Sequence, residues 1–420
     1  MQFHHTKFMT DGQIPLDCNI VVILYNKAIL LKSISHLVDV VIIRSNSIIN
    51  TPRVTKIAGS LRKKYSISVF GWNRDGISKQ SRDNFVTELR LFNLKAPIGK
   101  PIILLYFPLF WIWTFLSLIS YRPQVVHACD LDSVIPCYVY KVIFRKKLLF
   151  DVCDRYALAY IPPRFKVLFH LVNSLEEFFI KKADFVVTVG QSLLGTFRSK
   201  PEKCAIIMNC VDDISDKVGS TGSREKESLF SLVYTGDIRR DRGIETILKA
   251  IEDLDGIEFV LAGRIIHKEI EYKILGTPKV KYNGLLLPED ALVLEKSSDA
   301  IIALYNLKFK QNYFAMPNKL FEAMMCQLPI ITNIAPEVVK DEVGCGVIVD
   351  YNDTDQIRET IVMLRDKPEL RKELGKNGRV AFMQKYNWHI MERKLLSVYE
   401  YLLSSKIQLS NNRKPRFIFH

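Results

Sequence analysis

"FSLVYTGDIRRDRGIETILKAI", residues 230–251, joins an apolar, strand-like run to a helical run through a loop bounded by Gly236 and Gly243 and carrying Arg239, Arg240 and Arg242. Continuous apolar strands that alternate with helices belong to a parallel sheet covered on both faces. A basic, glycine-bounded turn at a helix start also offers backbone N–H groups, the positive end of the helix dipole and guanidinium forks. Those are the groups an oligophosphate needs.

The same alternation extends in both directions. Strand-like runs are expected at 38–45, 65–72, 123–128, 147–152 and 184–190, with helices over 53–64, 131–145 and 167–182. A second set follows at 230–236, 257–263, 280–284, 300–305, 328–333 and 346–350. The expected fold is α/β, with two Rossmann-like doubly wound domains facing a cleft. Residues 38–210 form the first domain, 211–228 a polar linker and 229–385 the second domain. An apolar stripe over 386–405 marks a C-terminal helix, residues 406–420 form a basic tail, and 1–37 are an extension of uncertain structure.

Across the 420 residues the formal net charge is +14, and all of that excess lies in residues 1–205, since 206–420 are balanced. A basic first domain beside a neutral second one points to an anionic partner for the first. Nucleic acid is disfavoured, because the basic residues are dispersed and no RRM, helix-turn-helix or zinc signature is present. The eight cysteines show no CxxC pair and mostly sit in apolar runs, which fits reduced thiols of a cytoplasmic protein. The stretch "PIILLYFPLFWIWTFLSLIS", residues 101–120, has no charge and is rich in Trp and Tyr. A single span would put strands of one sheet on opposite sides of a bilayer. The segment is therefore expected to be a monotopic or interfacial helix, a hairpin bent at Pro108, or buried core.

"NYFAMPNKLFEAM", residues 312–324, places Pro317, Asn318 and Lys319 at a second helix start, with Glu322 one turn further in. Asn318 and Lys319 would present first-turn N–H groups and a positive charge. Glu322 would accept hydrogen bonds from vicinal hydroxyls, as acidic residues do for nucleotide riboses.

With "FVLAGR", "PNKLFEAMMCQLPIIT" and "LGKNGRVAFMQKYNWHIMERKLLSVYEYLL", these segments resemble the nucleotide-binding domain of family 4 (group 1) glycosyltransferases, which have the GT-B fold. The likeness runs over about 230–405 and extends more weakly into the first half. It implies a C-terminal helix returning to the first domain. It also implies transfer, with retention of configuration, from a nucleotide diphosphate sugar, while the basic first domain and the apolar aromatic 101–120 segment fit a lipid-linked or polysaccharide acceptor at a membrane surface. The protein would be peripheral or monotopic on the inner face, with no cofactor and no metal. The donor-binding residues implied are Gly236, Arg239, Arg240, Arg242, Gly263, Asn318, Lys319, Leu320 and Glu322. Asn50, Arg53, Cys129 and Asp132 fall on the acceptor side, and His127, Asp130 and Asp154 are candidates for catalysis. The chain departs from the family pattern at Phe314, where a sugar-contacting Glu is usual, and at Cys129, where a His is frequent. The alternatives are a GT-B sugar-nucleotide epimerase and an inactive membrane-associated scaffold.

Overall fold

The computed structural model describes residues 38–45, 51–74, 88–97, 101–162, 164–215 and 229–404. The expectations placed on 1–37, on most of the 211–228 linker, on Asn50 and on the 406–420 tail lie outside the described residues.

In the first domain, β1 (Val40–Arg44), β2 (Ile67–Trp72), β3 (Glu88–Phe92), β4 (Val125–Cys129), β5 (Lys147–Val152), β6 (Phe185–Thr188) and β7 (Cys204–Ile206) form a sheet in the order β3-β2-β1-β4-β5-β6-β7. Every adjacent pair is parallel. The helices between them are α1 (Pro52–Leu61), α2 (Phe107–Tyr121), α3 (Leu131–Phe144), α4 (Tyr156–Tyr160), α5 (Lys166–Lys182) and α6 (Gln191–Leu194). In the second domain, β8 (Phe230–Thr235), β9 (Ile257–Ala262), β10 (Val280–Tyr282), β11 (Ala300–Ala303), β12 (Ile330–Thr332) and β13 (Gly346–Ile348) run β10-β9-β8-β11-β12-β13, again all parallel. Helices α7 (Ile244–Ile251), α8 (Lys268–Leu275), α9 (Pro288–Lys296), α10 (Asn318–Cys326), α11 (Thr354–Asp366) and α12 (Pro368–Gln384) cover it. Strand order reverses beside β1 and again beside β8, and ligands of open α/β sheets bind beyond the strand C-termini at such switch points.

The last helix, α13 (Trp388–Ser404), leaves the second domain and packs on the first. Trp388 Nε1 donates to Ser60 Oγ at 3.0 Å, and the Lys63 ammonium pairs with Glu392 at 2.7 Å. One apolar cluster therefore runs from Val54, Ile57 and Leu61 through Leu395 and Tyr399 to Phe321 and Met324 of α10.

Beneath that seam lies a polar knot. His127 is fully buried on β4, with Nδ1 2.6 Å from Tyr399 Oη and Nε2 3.3 Å from Asp151 Oδ2. Arg53 grips Asp151 with two bonds of 2.7 Å and donates through Nη1 to Ile207 O and Asn209 Oδ1. His127, a catalytic candidate from sequence, is thus turned into the core, while Arg53, an acceptor-side candidate, ties separate strands together from a largely buried position in the cleft wall. Burial alone would raise the Asp151 carboxyl, but the Arg53 guanidinium and His127 hold it far below the usual carboxylate range.

The 101–120 segment is not a hairpin. A 3-10 turn, Pro101–Leu105, leads into α2, and Pro108 sits in the first turn of that helix, where its missing N–H costs nothing. One face, with Phe107, Phe110, Leu118 and Tyr121, packs on Phe70 and Trp72, while Leu109, Ile112 and Leu116 remain exposed. The described cysteines are all free.

Removing one partner of a buried ion pair strands the other charge. Asp151→Ala should therefore lower unfolding stability by about 3–5 kcal/mol. Because the folded-state carboxyl is depressed, the native contribution is complete above the ordinary value of 3.8 and lost as pH falls below it. Urea unfolding of native and variant protein across acid pH checks this. A loss below about 1 kcal/mol would show the pair to be dispensable.

Candidate active site in the interdomain cleft

The second domain presents two loops to the cleft. At the first, Gly236 (φ 124°) follows Thr235, the last residue of β8, and Gly263 (φ 137°) follows β9. A Cβ on Gly263 would lie 1.8 Å from Gly236 O, so the two strand ends approach at a distance only glycine allows. Of the three loop arginines, Arg239 is held by Asp241 through bonds of 2.8 and 2.9 Å, and Arg240 reaches out to Glu269 at 3.3 Å. Arg242 stays at the site. Its guanidinium lies 4.4 Å from the centre of the Tyr305 ring, and its buried Nη1 makes no hydrogen bond, only a 3.8 Å ion pair with Asp241 Oδ2.

At the second loop, Pro317 is the N-cap and the helix begins at Asn318. Asn318 is exposed and Leu320 is buried in the core beneath it. The Lys319 ammonium donates to Glu295 Oε1 at 2.8 Å and in short contacts to Glu322 Oε2 and Thr235 Oγ1. Lys319 Cε also lies 4.0 Å from where a Gly236 Cβ would be, so the two loops meet at this side chain. Burial would lower its ammonium, but Glu295 and Glu322 raise it well above the usual range. Phe314 ends a short 3-10 turn, Lys310–Phe314, on the approach to the helix.

Across the cleft the first domain supplies a different chemistry. Asp130, at the end of β4, adopts φ 63° and ψ 169°, a backbone region that side chains rarely enter. Its carboxylate accepts from Cys153 N at 3.1 Å and pairs with Arg44 at 3.3 Å. Ser45 Oγ donates to Asp132 Oδ2, which burial and then Asp130 push up to about 6. Asp154 is open to the cleft with no hydrogen-bond or ion-pair partner among the described residues. Its desolvated position and the Asp130 charge raise it to about 7. Asp154, Cys153, Lys56 and Asn209 line a cavity of about 210 Å³, closed on the other side by Met316 and Asn318 of the second domain. The Lys56 amine, bonded to Cys210 O at 2.7 Å, is lowered by burial although Asp212 and Glu322 oppose the effect.

His127, Cys129 and Asp151 bring ligand-type atoms within 4.8 Å of one another. Both Asp151 oxygens are already taken by Arg53, and burial raises the Cys129 thiol far above its usual value. This is a packed ion pair beside a neutral thiol, and it does not fit a metal ion. Cys129 itself is wholly buried, away from any acceptor.

Three residues of the site carry no sequence signal. Glu295 sits in "LVLEKSS", which reads as a solvent-facing helix end, yet it is fully buried. Thr235 is the last residue of an apolar strand, and Lys56 lies on a helix remote from the second domain in sequence.

Residues 230–367 match the family model for glycosyl transferases group 1. That match spans most of the second domain of a two-domain GT-B architecture, and the enzyme class it supports is glycosyltransferase. Among curated relatives, an uncharacterized glycosyltransferase of Methanocaldococcus jannaschii is 25% identical over 63% of this chain and 71% of its own length. The capsular polysaccharide biosynthesis glycosyltransferase CapM of Staphylococcus aureus is 25% identical over 41% of this chain and 47% of its own. Among solved structures, Anabaena HepE in complex with UDP-glucose superimposes with a TM-score of 0.65 at 14% identity, covering 88% of this chain and all of that one.

Gly263→Ala forces a Cβ into the Gly236 carbonyl and an unfavourable φ. The expected cost is at least roughly 1–3 kcal/mol together with a displaced 236–243 loop. Thermal unfolding with nucleotide titration reads both. An unchanged Tm and unchanged binding would refute the close approach.

Proposed function

We propose that the chain transfers a glycosyl group from a nucleotide diphosphate sugar to a lipid-linked or polysaccharide acceptor at a membrane surface, with retention of configuration and without a metal. One observation carries the donor half. The basic loop and the α10 start converge on Lys319, with the Arg242 guanidinium, paired only at 3.8 Å with Asp241, on one side and Glu322 a turn further on. The leaving diphosphate gains negative charge as the sugar departs, and the preorganised Arg242 guanidinium with the N–H groups of Asn318 and Lys319 stabilises it. Glu322 takes the ribose hydroxyls. HepE, a structure of this fold, holds UDP-glucose, and that supports the donor class.

On the acceptor side Asp154 is the unpartnered carboxylate facing the cavity, positioned to hold the acceptor hydroxyl on the face from which the diphosphate departs, where the leaving phosphate oxygen takes its proton and configuration is retained. Closure of the two domains would exclude water and limit donor hydrolysis. CapM, named for capsular polysaccharide biosynthesis, supports a glycan acceptor.

The membrane half rests on one side of the first sheet. The buried faces of α2, α3 and α5 share a single core cluster, so their outer faces form one surface. That surface exposes Leu105, Ile112 and Leu116, then Val142 and Ile143, then Val167, Leu171, Leu175 and Phe178. Val167 is 84% accessible and Leu105 is 74% accessible, values at which an apolar side chain gains nothing from the fold itself. Exposed Arg145, Arg164, Lys166, Lys181 and Lys182 lie on the same elements or beside them, and the first half carries the whole net charge. An apolar face with a basic rim suits an anionic bilayer surface. Among the described residues no helix is long and apolar enough to cross a membrane.

Titration with a panel of UDP- and GDP-sugars tests the donor half. Glu322→Ala should weaken binding about tenfold, close to 1.4 kcal/mol. If no nucleotide sugar binds, or the substitution changes nothing, the transferase reading is lost. Conversion of the donor without an acceptor would favour the epimerase. Asp154→Asn should lower kcat by at least about tenfold with little change in donor KM, and native kcat should rise with pH through about 7 as Asp154 ionises. For the membrane half, flotation with phosphatidylglycerol vesicles should recover the native protein. Ile112→Glu combined with Leu171→Glu should leave it in the soluble fraction, still folded and donor-competent.

A further inference from the structure

Glu295 lies on the last turn of α9, outside both donor loops, and its side chain has no solvent access. Oε1 accepts from Lys319 Nζ at 2.8 Å and, in a short contact, from Thr235 Oγ1. Oε2 is buried without any partner. Lys319 in turn reaches Glu322, and Thr235 is the residue that delivers the chain into Gly236. A single carboxyl thus lies under both elements that face the cleft, touching neither the ribose carboxylate nor the basic loop directly.

We propose that Glu295 is the positioning residue of the donor site: through Lys319 it sets the Glu322 carboxylate, and through Thr235 it sets the entry to the 236–243 loop. The inference rests on the donor reading above. A buried polar group left unpaired is costly, and the orphan Oε2 is relieved when it carries a proton. With Glu295 and Glu322 both ionised and Lys319 protonated, the cluster holds a net negative charge beneath the place where diphosphate binds. With the proton on Oε2 it is neutral. Burial pushes the Glu295 carboxyl up to about 7 despite Lys319, so the switch between these forms falls near neutrality.

The other groups that face it are few. On α10 they are Lys319, Glu322 and the Cys326 thiol, which burial raises far above its usual value. On β8 there is Thr235, and Lys296 is the neighbour on its own helix. Lys56 approaches Glu322 from the first domain. Loss of the Glu295 proton adds negative charge below an anionic ligand, so donor affinity should fall as pH rises through neutrality. The diphosphate of a nucleotide sugar is esterified at both ends and has no proton of its own to lose there.

Calorimetric titration of the full chain with UDP-glucose and GDP-mannose at about pH 6 and pH 8 tests this, using native protein, Glu295→Gln and Glu295→Ala. The native Kd should rise several-fold between the two conditions. Glu295→Gln keeps an acceptor for Lys319 and Thr235 and cannot ionise, so its Kd should match the native value at low pH and stay flat. Glu295→Ala should weaken binding about tenfold at both values. A purely structural role would lower Tm in both variants and leave the native pH slope in Glu295→Gln. That slope, or native-like binding by a folded Glu295→Ala, overturns the inference while the donor reading stands. If the native protein binds neither compound, the donor reading fails and this inference fails with it.

Discussion

Arg53 and Asp151 form an almost wholly buried ion pair, and the first domain is arranged to keep it satisfied. The guanidinium spans from β5 to the segment after β7, while His127 bridges the same carboxylate to Tyr399 on the last helix. Two charges in a low-dielectric interior are tolerable only when their remaining hydrogen-bonding capacity is filled, and here backbone and amide oxygens fill it. The result is a fixed floor beneath the cleft. It anchors the helix that joins the second domain to the first, so whatever binds between the domains does so against a rigid base. The cost of breaking the pair, more than its net worth when formed, gives it that role.

Above this floor the two sides of the cleft differ in charge logic. The second domain gathers cations and helix starts, with Arg242 poised and Lys319 shared among Glu295, Glu322 and Thr235. The first domain gathers Asp130, Asp132 and Asp154, all three raised chiefly by burial and further by neighbouring carboxylates. The strained backbone at Asp130 is part of that arrangement, since it aims the carboxylate at Cys153 N and Arg44. The first-domain wall is thus mixed, with its carboxyls set beside Arg44, Arg53 and Lys56 along the same cavity.

Much of this was legible in the sequence. Continuous β-branched runs and intervening helices foretold both parallel sheets, because a strand buried on two faces has little freedom in composition. The strands that sequence reading passed over, Glu88–Phe92 and Cys204–Ile206, are edge strands, where shortness and charge are favoured and the apolar run disappears. The 101–120 stretch illustrates the opposite limit. Uniform apolarity carries no period, so the sequence offers no way to tell which residues face the sheet and which face outward. Packing decided it, putting Phe110 against Trp72 and leaving Ile112 outside.

The sequence by itself determined the doubly wound architecture, the two basic or proline-led helix starts, and Glu322 one turn past the second. These are local signals of strand, turn and cap chemistry carried by neighbours in the chain. Only the tertiary structure decided which of the candidate side chains meet. It bound Arg239 to Asp241 and drew Arg240 out to Glu269, left Arg242 against Tyr305, turned His127 into the core and set Arg53 in the cleft wall, clamped on Asp151. It also brought Glu295, 24 positions before Lys319, under both cleft-facing loops of the second domain. A residue's partner across a fold depends on how helices seat on a sheet, and one sequence read in isolation does not encode that in any short pattern.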